Sequence, residues 1–241
     1  MLMELTFFNH KKRRAYRSAP ASGPARHLIG GSGEAVLYQS RLSVSFDLLV
    51  SLDLTDPALD LEISPNVGRL PLVYGIAYVG NHGAQRYNVL SDGTVKIADE
   101  NALAPDGEHV PSNKEERGIE LVDCKFDLSR AEDALSMLQV FGLDDLSERE
   151  IERALKIAYS GRYALDVYED WIVYKDLTKK QYLEFWGAPP FWQPGGISTS
   201  CSNEICDGQN VRVFATCDIG SLLVIYRHCP DCQSILVSNQ A

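Results

Sequence analysis

The chain has 241 residues, of which 45% are hydrophobic, 23% are charged and 9% are aromatic. This composition is that of an ordinary globular protein, and it excludes a disordered, collagen-like or coiled-coil chain. The formal net charge of −10 argues against a protein that coats nucleic acid.

The N-terminal segment combines a short apolar start with a basic run from His10 to Arg17. A secretory signal has the opposite order, and no stretch approaches the roughly 18 apolar residues of a membrane span. We therefore predict a cytoplasmic protein with no membrane partner. Residues 1–28 are interpreted as a basic N-terminal arm and linker. The basic run is expected to be solvated, with a weak capacity to contact RNA, while the chain as a whole is not expected to bind nucleic acid.

Strand-like patterns follow in residues 29–118, which we predict to form a first β-unit. In residues 43–54 apolar and polar residues alternate, and Leu49 is the one apolar residue on the polar face. This period of two is typical of a strand with one face in a core. Asp92-Gly93 separates two further strand-like runs and predicts a β-hairpin with a type I′ turn.

Residues 119–184 are predicted to form a helical insertion with connecting strands. Ser129 with Glu132, and Ser147 with Glu150, have the spacing of capping boxes, and apolar residues follow each pair at helical intervals. Two central helices that pack on a sheet are therefore expected. The order of strands, helices and strands predicts an α+β fold with mainly antiparallel β-sheets.

Residues 185–241 are predicted to form a second β-unit that repeats the first. Each unit has a Gly-rich turn, an aromatic–Gln step that ends at Gln39 or Gln193, a long strand, and an apolar strand that ends at Tyr74 or Tyr226. We interpret this order as a decayed internal duplication. Half-units of this size bury little apolar surface alone, so two copies are expected to share one core.

Four of the six cysteines form two closely spaced pairs, Cys201 with Cys206 and Cys229 with Cys232. Two such pairs, separated by the length of one hairpin, are typical of a zinc-ribbon-like Cys₄ element. In a reducing compartment paired cysteines are metal ligands more often than disulfides. The spacing therefore predicts one structural zinc ion, with no coordination position left for catalysis.

Two other interpretations of these cysteines are open. Cys229-Pro-Asp-Cys232 has the spacing of a redox pair, but strand-like residues follow it instead of the helix that would lower a thiol pKa. The four cysteines could also be unrelated buried thiols, which is the role expected for Cys124 and Cys217. His228 is a substitute ligand by position, but as the neighbour of Cys229 on an extended turn it is expected to point away.

Two segments resemble motifs of the YwqG-like family, GAPPFWQ at 187–193 and CPDCQSILVSNQ at 229–240. The superfamily includes programmed cell death protein 2. The resemblance implies a duplicated β-rich fold, zinc in some members, and a role as a binding or chaperone-like module for proteins, or as a toxin-immunity protein in bacteria. This chain departs from the motifs at Trp186 and at Gln233, which both stand where the family has glycine. A positive φ at Gln233 would cost roughly 1–2 kcal/mol.

We predict a bacterial, cytoplasmic module that binds a protein or peptide, and not an enzyme. An aromatic-rich turn fits an interface, and equally a core; its residues are Phe185, Trp186, Phe191 and Trp192. No phosphate loop or zincin motif is present, and no catalytic or cofactor-binding residue is predicted beside the zinc ligands. The alternative is a hydrolase or transferase, because a catalytic triad is recognised by geometry and not by sequence position.

Overall fold

The computed structural model describes the following residues: 3–12, 14–42, 46–59, 61, 63, 68–76, 85–103, 115–124, 147, 149, 200–219 and 222–240. The chain divides into two compact units, residues 1–124 with 199–241, and residues 125–198. The strands below belong to the first unit. The two predicted helices, apart from Ser147 and Arg149, and the aromatic-rich turn lie outside the described residues.

The described residues form eleven strands in one sheet. In chain order they are β1 (Glu4–Asn9), β2 (Arg14–Pro20), β3 (His27–Ile29), β4 (Asp47–Asp53), β5 (Arg69–Tyr74), β6 (Arg86–Val89), β7 (Val95–Ile97), β8 (Arg117–Cys124), β9 (Arg212–Asp218), β10 (Leu223–His228) and β11 (Ile235–Gln240). Their order across the sheet is β5-β4-β3-β8-β2-β1-β9-β10-β11-β6-β7. All neighbouring strands pair antiparallel. The described residues also form two short 3₁₀ turns, Gly33–Ala35 and Glu100–Ala102.

The predicted α+β class with two central helices is therefore wrong, because the described structure is almost entirely antiparallel β. The sheet buries its apolar residues by curling on itself. Tyr87 of β6 donates a hydrogen bond of 3.0 Å from its hydroxyl to the carbonyl of Pro71 on β5. The Gln85 side chain makes two hydrogen bonds of 3.0 Å to the backbone of Gly75. Its Oε1 accepts from the Gly75 N–H, and its Nε2 donates to the Gly75 carbonyl. These side chains bridge strands that lie far apart in the sheet order, so the described residues need no helical layer to cover one face.

The segment predicted as a basic arm forms central strands instead. Strand β2 lies between β1 and β8 and contributes buried Ala15 and Tyr16 to the sheet. Its basic residues remain exposed and face carboxylates, Arg14 at 2.9 Å from Asp123. The interpretation of this segment as an arm is therefore wrong, whereas the basic side chains of β2 are exposed to solvent as expected. A segment rich in basic residues can form a strand when its charged side chains point to solvent.

The predicted duplication is also wrong, because the two halves differ in strand order. β4 with β5 and β9 with β10 are both antiparallel pairs, and Tyr74 and Tyr226 are both buried. The strand after each pair has a different neighbour in the sheet. After β9 and β10, β11 pairs with β10, whereas after β4 and β5, β6 pairs with β11 and not with β5. Gln193 lies outside the described residues. The similar order of residues thus does not produce two equivalent units.

Several local predictions are confirmed in outline and corrected in detail. The strand predicted at 43–54 is β4, and its pairing with β5 shifts between Leu48 and Val50, so Leu49 is the extra residue of a bulge. The hairpin at Asp92-Gly93 joins β6 and β7. Only Gly93 has a positive φ there, +85°, so the turn is a type I turn with a glycine bulge and not type I′. Within the described residues, no helix has the length and apolar character needed to cross a membrane.

A buried histidine fixes the loop that follows β4. The backbone N–H of Asp53 donates to Nδ1 of His27 at 3.1 Å, so Nε2 carries the ring proton and donates to the Asp56 carboxylate at 3.0 Å. Burial acts to raise the pKa of Asp56, but hydrogen bonds from the Ala58 N–H and from His27 lower it below its usual value of 3.8. The loop is therefore held to β3 by a carboxylate that must be ionised.

We expect the Asp56→Asn variant to show a weaker dependence of stability on acid pH. A carboxyl group with a lowered folded-state pKa stabilises the fold above its unfolded pKa, and this contribution is lost as the pH falls through the folded value. The relevant window therefore lies below pH 3.8. Urea unfolding at a series of pH values measures the effect. An equal loss of stability in wild type and variant across that window would contradict this role of Asp56.

Candidate metal centre

The four cysteines predicted as ligands come together at one end of the β9–β10–β11 meander. Cys201 and Cys206 lie in the loop that leads into β9, Cys229 directly follows β10, and Cys232 lies in the turn between β10 and β11. Their four sulfur atoms all lie within 4.8 Å of one another. Pairs that are separated along the chain by residues 207–228 thus form one candidate metal site.

The distances between sulfurs fit a bound metal ion better than disulfides. Sγ of Cys201 lies 3.6 Å from Sγ of Cys232, and Sγ of Cys206 lies 3.7 Å from Sγ of Cys229. A disulfide would bring two sulfurs to about 2.05 Å. Four sulfurs placed tetrahedrally at about 2.3 Å from a central ion would be about 3.8 Å apart. These two sulfur pairs therefore have the spacing of neighbours in a tetrahedral ligand set, and the other sulfurs lie within 4.8 Å of one another.

The second ligand turn contains a non-glycine residue in the left-handed region. Gln233 has φ +59°, in the left-handed region, although it is not a glycine. Its side chain compensates by donating from Nε2 to the carbonyl of Pro230 at 2.8 Å. The Cys229 N–H donates to the Ser234 carbonyl at 3.0 Å and closes the turn. The departure from glycine at position 233 is therefore accommodated locally.

The first ligand loop depends on Gly208. The Cys201 N–H donates to the carbonyl of Gly208 at 2.8 Å, and the Cys206 N–H donates to the carbonyl of Asn203 at 2.8 Å. A Cβ on Gly208 would lie 2.9 Å from Sγ of Cys229 and 2.6 Å from Oδ2 of Asp231. Only a residue without a side chain allows the loop backbone to approach the sulfurs this closely.

The thiols oppose one another electrostatically. Burial, with the neighbouring cysteines, raises the pKa of Cys201 to about 12. The pKa of Cys206 is also raised, because a hydrogen bond from the Gly208 backbone is outweighed by desolvation and by the neighbouring thiols. Burial acts in the same direction on Cys232, but hydrogen bonds from Ser234 lower its pKa to about 6. Thiolates held this close would repel one another, and a divalent metal ion would remove that repulsion.

Groups outside the cysteine motif support the site, and the sequence did not indicate them. Ser234 Oγ lies 3.3 Å from Sγ of Cys232 and 3.3 Å from Oδ1 of Asn88, on β6. Asn88 Nδ2 also donates to the Cys232 carbonyl at 3.3 Å. Buried Val211 and Leu236 pack against the sulfurs. Asn88 is remote in sequence, so only the pairing of β11 with β6 brings it here.

The alternatives to a four-cysteine site receive no support from the geometry. Strand β11, and not a helix, follows Cys232, so the thiol pair lacks the helix dipole of a redox motif. His228 is buried and lines a separate cavity, outside the cluster of ligand atoms. Cys217 is buried on β9 away from the cluster, as expected for a core thiol. The side chain of Cys124 lies outside the described residues.

Comparison with known proteins does not place the chain in a family. No family model, no curated protein and no solved structure matches the chain. The YwqG-like resemblance therefore stays a prediction that depends on sequence motifs, and its aromatic motif lies outside the described residues.

We expect Gly208→Ala to weaken metal binding by roughly tenfold or more, the effect typical of changes in the groups that position metal ligands. The added methyl group would displace the Cys229 sulfur or Asp231. Competition with a chelating dye measures the metal affinity. Gly68→Ala is the matched control, because nothing lies within 4 Å of its added Cβ. Equal affinities for the two variants would contradict the proposed close approach of the loop.

Proposed function

We propose that this chain is a cytoplasmic protein-binding module whose C-terminal loops are held by a structural zinc ion. The observation that carries the proposal is the cluster of four thiols within 4.8 Å. A tetrahedral set of four sulfurs is typical of zinc or of iron, and zinc is the usual occupant of a closed structural site. Four sulfur ligands leave no open position for a substrate, which favours a structural role over a catalytic one.

Residues of the metal loop also support the binding role. Ile205 lies between the ligands Cys201 and Cys206, and 93% of its surface is exposed. It is the most exposed large hydrophobic residue among those that the structure describes. Apolar residues on a rigid turn make effective anchors in protein interfaces, because little conformational freedom is lost when a partner binds. A metal ion held by both flanking cysteines would provide that rigidity.

Zinc analysis tests the metal. We expect one zinc ion per chain in protein purified without metal-chelating tags, and a lower content in Cys229→Ser. That variant should also lose more thermal stability than Cys217→Ser, because structural zinc contributes on the order of 10 kcal/mol in small peptides. Replacing one buried thiol by a hydroxyl group costs about 1–3 kcal/mol. Folded protein with reduced thiols and no zinc, or with iron in its place, would contradict the assignment.

Partner capture tests the binding role. Cross-linking in the native host, followed by purification of the chain, should recover a specific partner with wild type and lose it with Ile205→Ser. The zinc content and the thermal midpoint of that variant should match wild type. Val122→Ser is the control, since Val122 is also a large hydrophobic residue that is half exposed, on β8. Recovery of the same partner with Ile205→Ser, or of no specific partner with wild type, would overturn the proposed interface.

A further inference from the structure

A second candidate site lies beside the metal centre. A cavity of about 350 Å³ opens where the loop after β4 meets strands β1, β9 and β10. Its volume falls within the roughly 300–1,000 Å³ range of small-molecule sites. The side chains that give it chemical character are His10, Lys11, Arg212 and His228, with Phe8, Leu61 and Pro230 as apolar neighbours.

Strand pairing places the polar residues of this cavity side by side. Arg212 on β9 is the direct partner of His228 on β10. His10 directly follows β1, the other neighbour of β9, and its Nε2 donates to the carbonyl of Val213 at 2.6 Å. Three adjacent strands therefore deliver one basic side chain each to the same end of the sheet.

Hydrogen bonds of the Asn9 side chain hold the turn that carries Lys11. Asn9 is buried, and its Nδ2 donates to the carbonyl of Ala58 at 2.8 Å. Its Oδ1 accepts a hydrogen bond of 2.9 Å from the Lys12 N–H. One side chain thus fixes the turn between β1 and β2 against the loop after β4, which also supplies Leu61. The wall that presents Lys11 is preorganised before any ligand enters.

Among the described residues, the charged side chains that line the cavity are opposite in sign to the net charge of the chain. The chain carries a net charge of −10, yet the charged side chains that line the cavity within the described residues, Lys11 and Arg212, are both cationic. Both residues are exposed. A guanidinium group can bind a phosphate or carboxylate through two parallel hydrogen bonds, and a lysine ammonium adds a point charge.

We propose that this cavity binds a small anionic ligand whose phosphate or carboxylate group contacts Arg212 and Lys11, and whose apolar part packs on Phe8, Leu61 and Pro230. The two cationic side chains would attract the anion, and the apolar wall would favour an organic anion over an inorganic one. This site is distinct from the protein-binding role proposed for Ile205, and it requires no chemistry at the metal.

Calorimetric titration of the full zinc-loaded chain tests the proposal. Phenyl phosphate and benzoate are the anionic probes, phenol is the neutral probe of the same ring, and sodium chloride matches the ionic strength. We expect saturable binding of at least one anionic probe and a much weaker response to phenol. Phenyl phosphate alone would assign the site to phosphate esters, and benzoate alone would assign it to carboxylates. Binding of phenol as tight as that of both anions, or no saturable binding, would overturn the proposal.

Charge-removing variants locate the binding. Arg212→Gln should lower the affinity for the anionic probe by about tenfold or more, because a charge-assisted hydrogen bond is lost. Lys11→Gln should lower this affinity by a smaller factor. Lys96→Gln removes an equal charge from an exposed position on β7 and should leave affinity unchanged. Zinc content and thermal midpoint confirm that each variant is folded. If Arg212→Gln fails to fold, Lys11→Gln alone tests the site. An unchanged affinity of Lys11→Gln for the anionic probe would then exclude binding in this cavity.

Discussion

Backbone pairing of β10 with both β9 and β11 is the interaction on which both sites depend. This meander is joined to the rest of the sheet on both sides, since β9 pairs with β1 and β11 pairs with β6. The turn between β10 and β11 carries two of the four cysteines, and the loop before β9 carries the other two. The cationic cavity lies across β1, β9 and β10. Loss of this meander would therefore remove the ligand set and the cavity together.

The metal centre and the sheet support each other through different forces. Strand pairing is a sum of many hydrogen bonds that each contribute modestly after water is accounted for. The thiol cluster is local, and its charges oppose one another until a cation is present. A metal ion at this site would link the 201–208 loop to the meander, and the small apolar cluster around Val211 and Leu236 packs against the sulfurs that would hold it.

The two candidate sites share an end of the sheet but differ in chemistry. His228 lines the cavity and the next residue, Cys229, faces the metal cluster, because successive side chains of an extended segment point in opposite directions. One strand end therefore separates a closed, sulfur-lined centre from an open, cationic cavity. The ligand sulfurs and the cavity therefore lie on opposite sides of the same strand end.

The sequence alone determined the features that depend on short spacing. The two cysteine pairs and the hairpin at Asp92-Gly93 could be predicted, because each reflects backbone geometry over a few residues. The cavity beside the cysteine cluster could not be predicted, since Lys11 and Arg212 both line it only because β1 pairs with β9 across some 200 residues of chain. For the same reason the basic run was mistaken for an arm, the strand order was mistaken for a duplication, and the class was mistaken for α+β. Which strands pair is decided by the burial of surfaces from remote segments, and no local pattern encodes that choice.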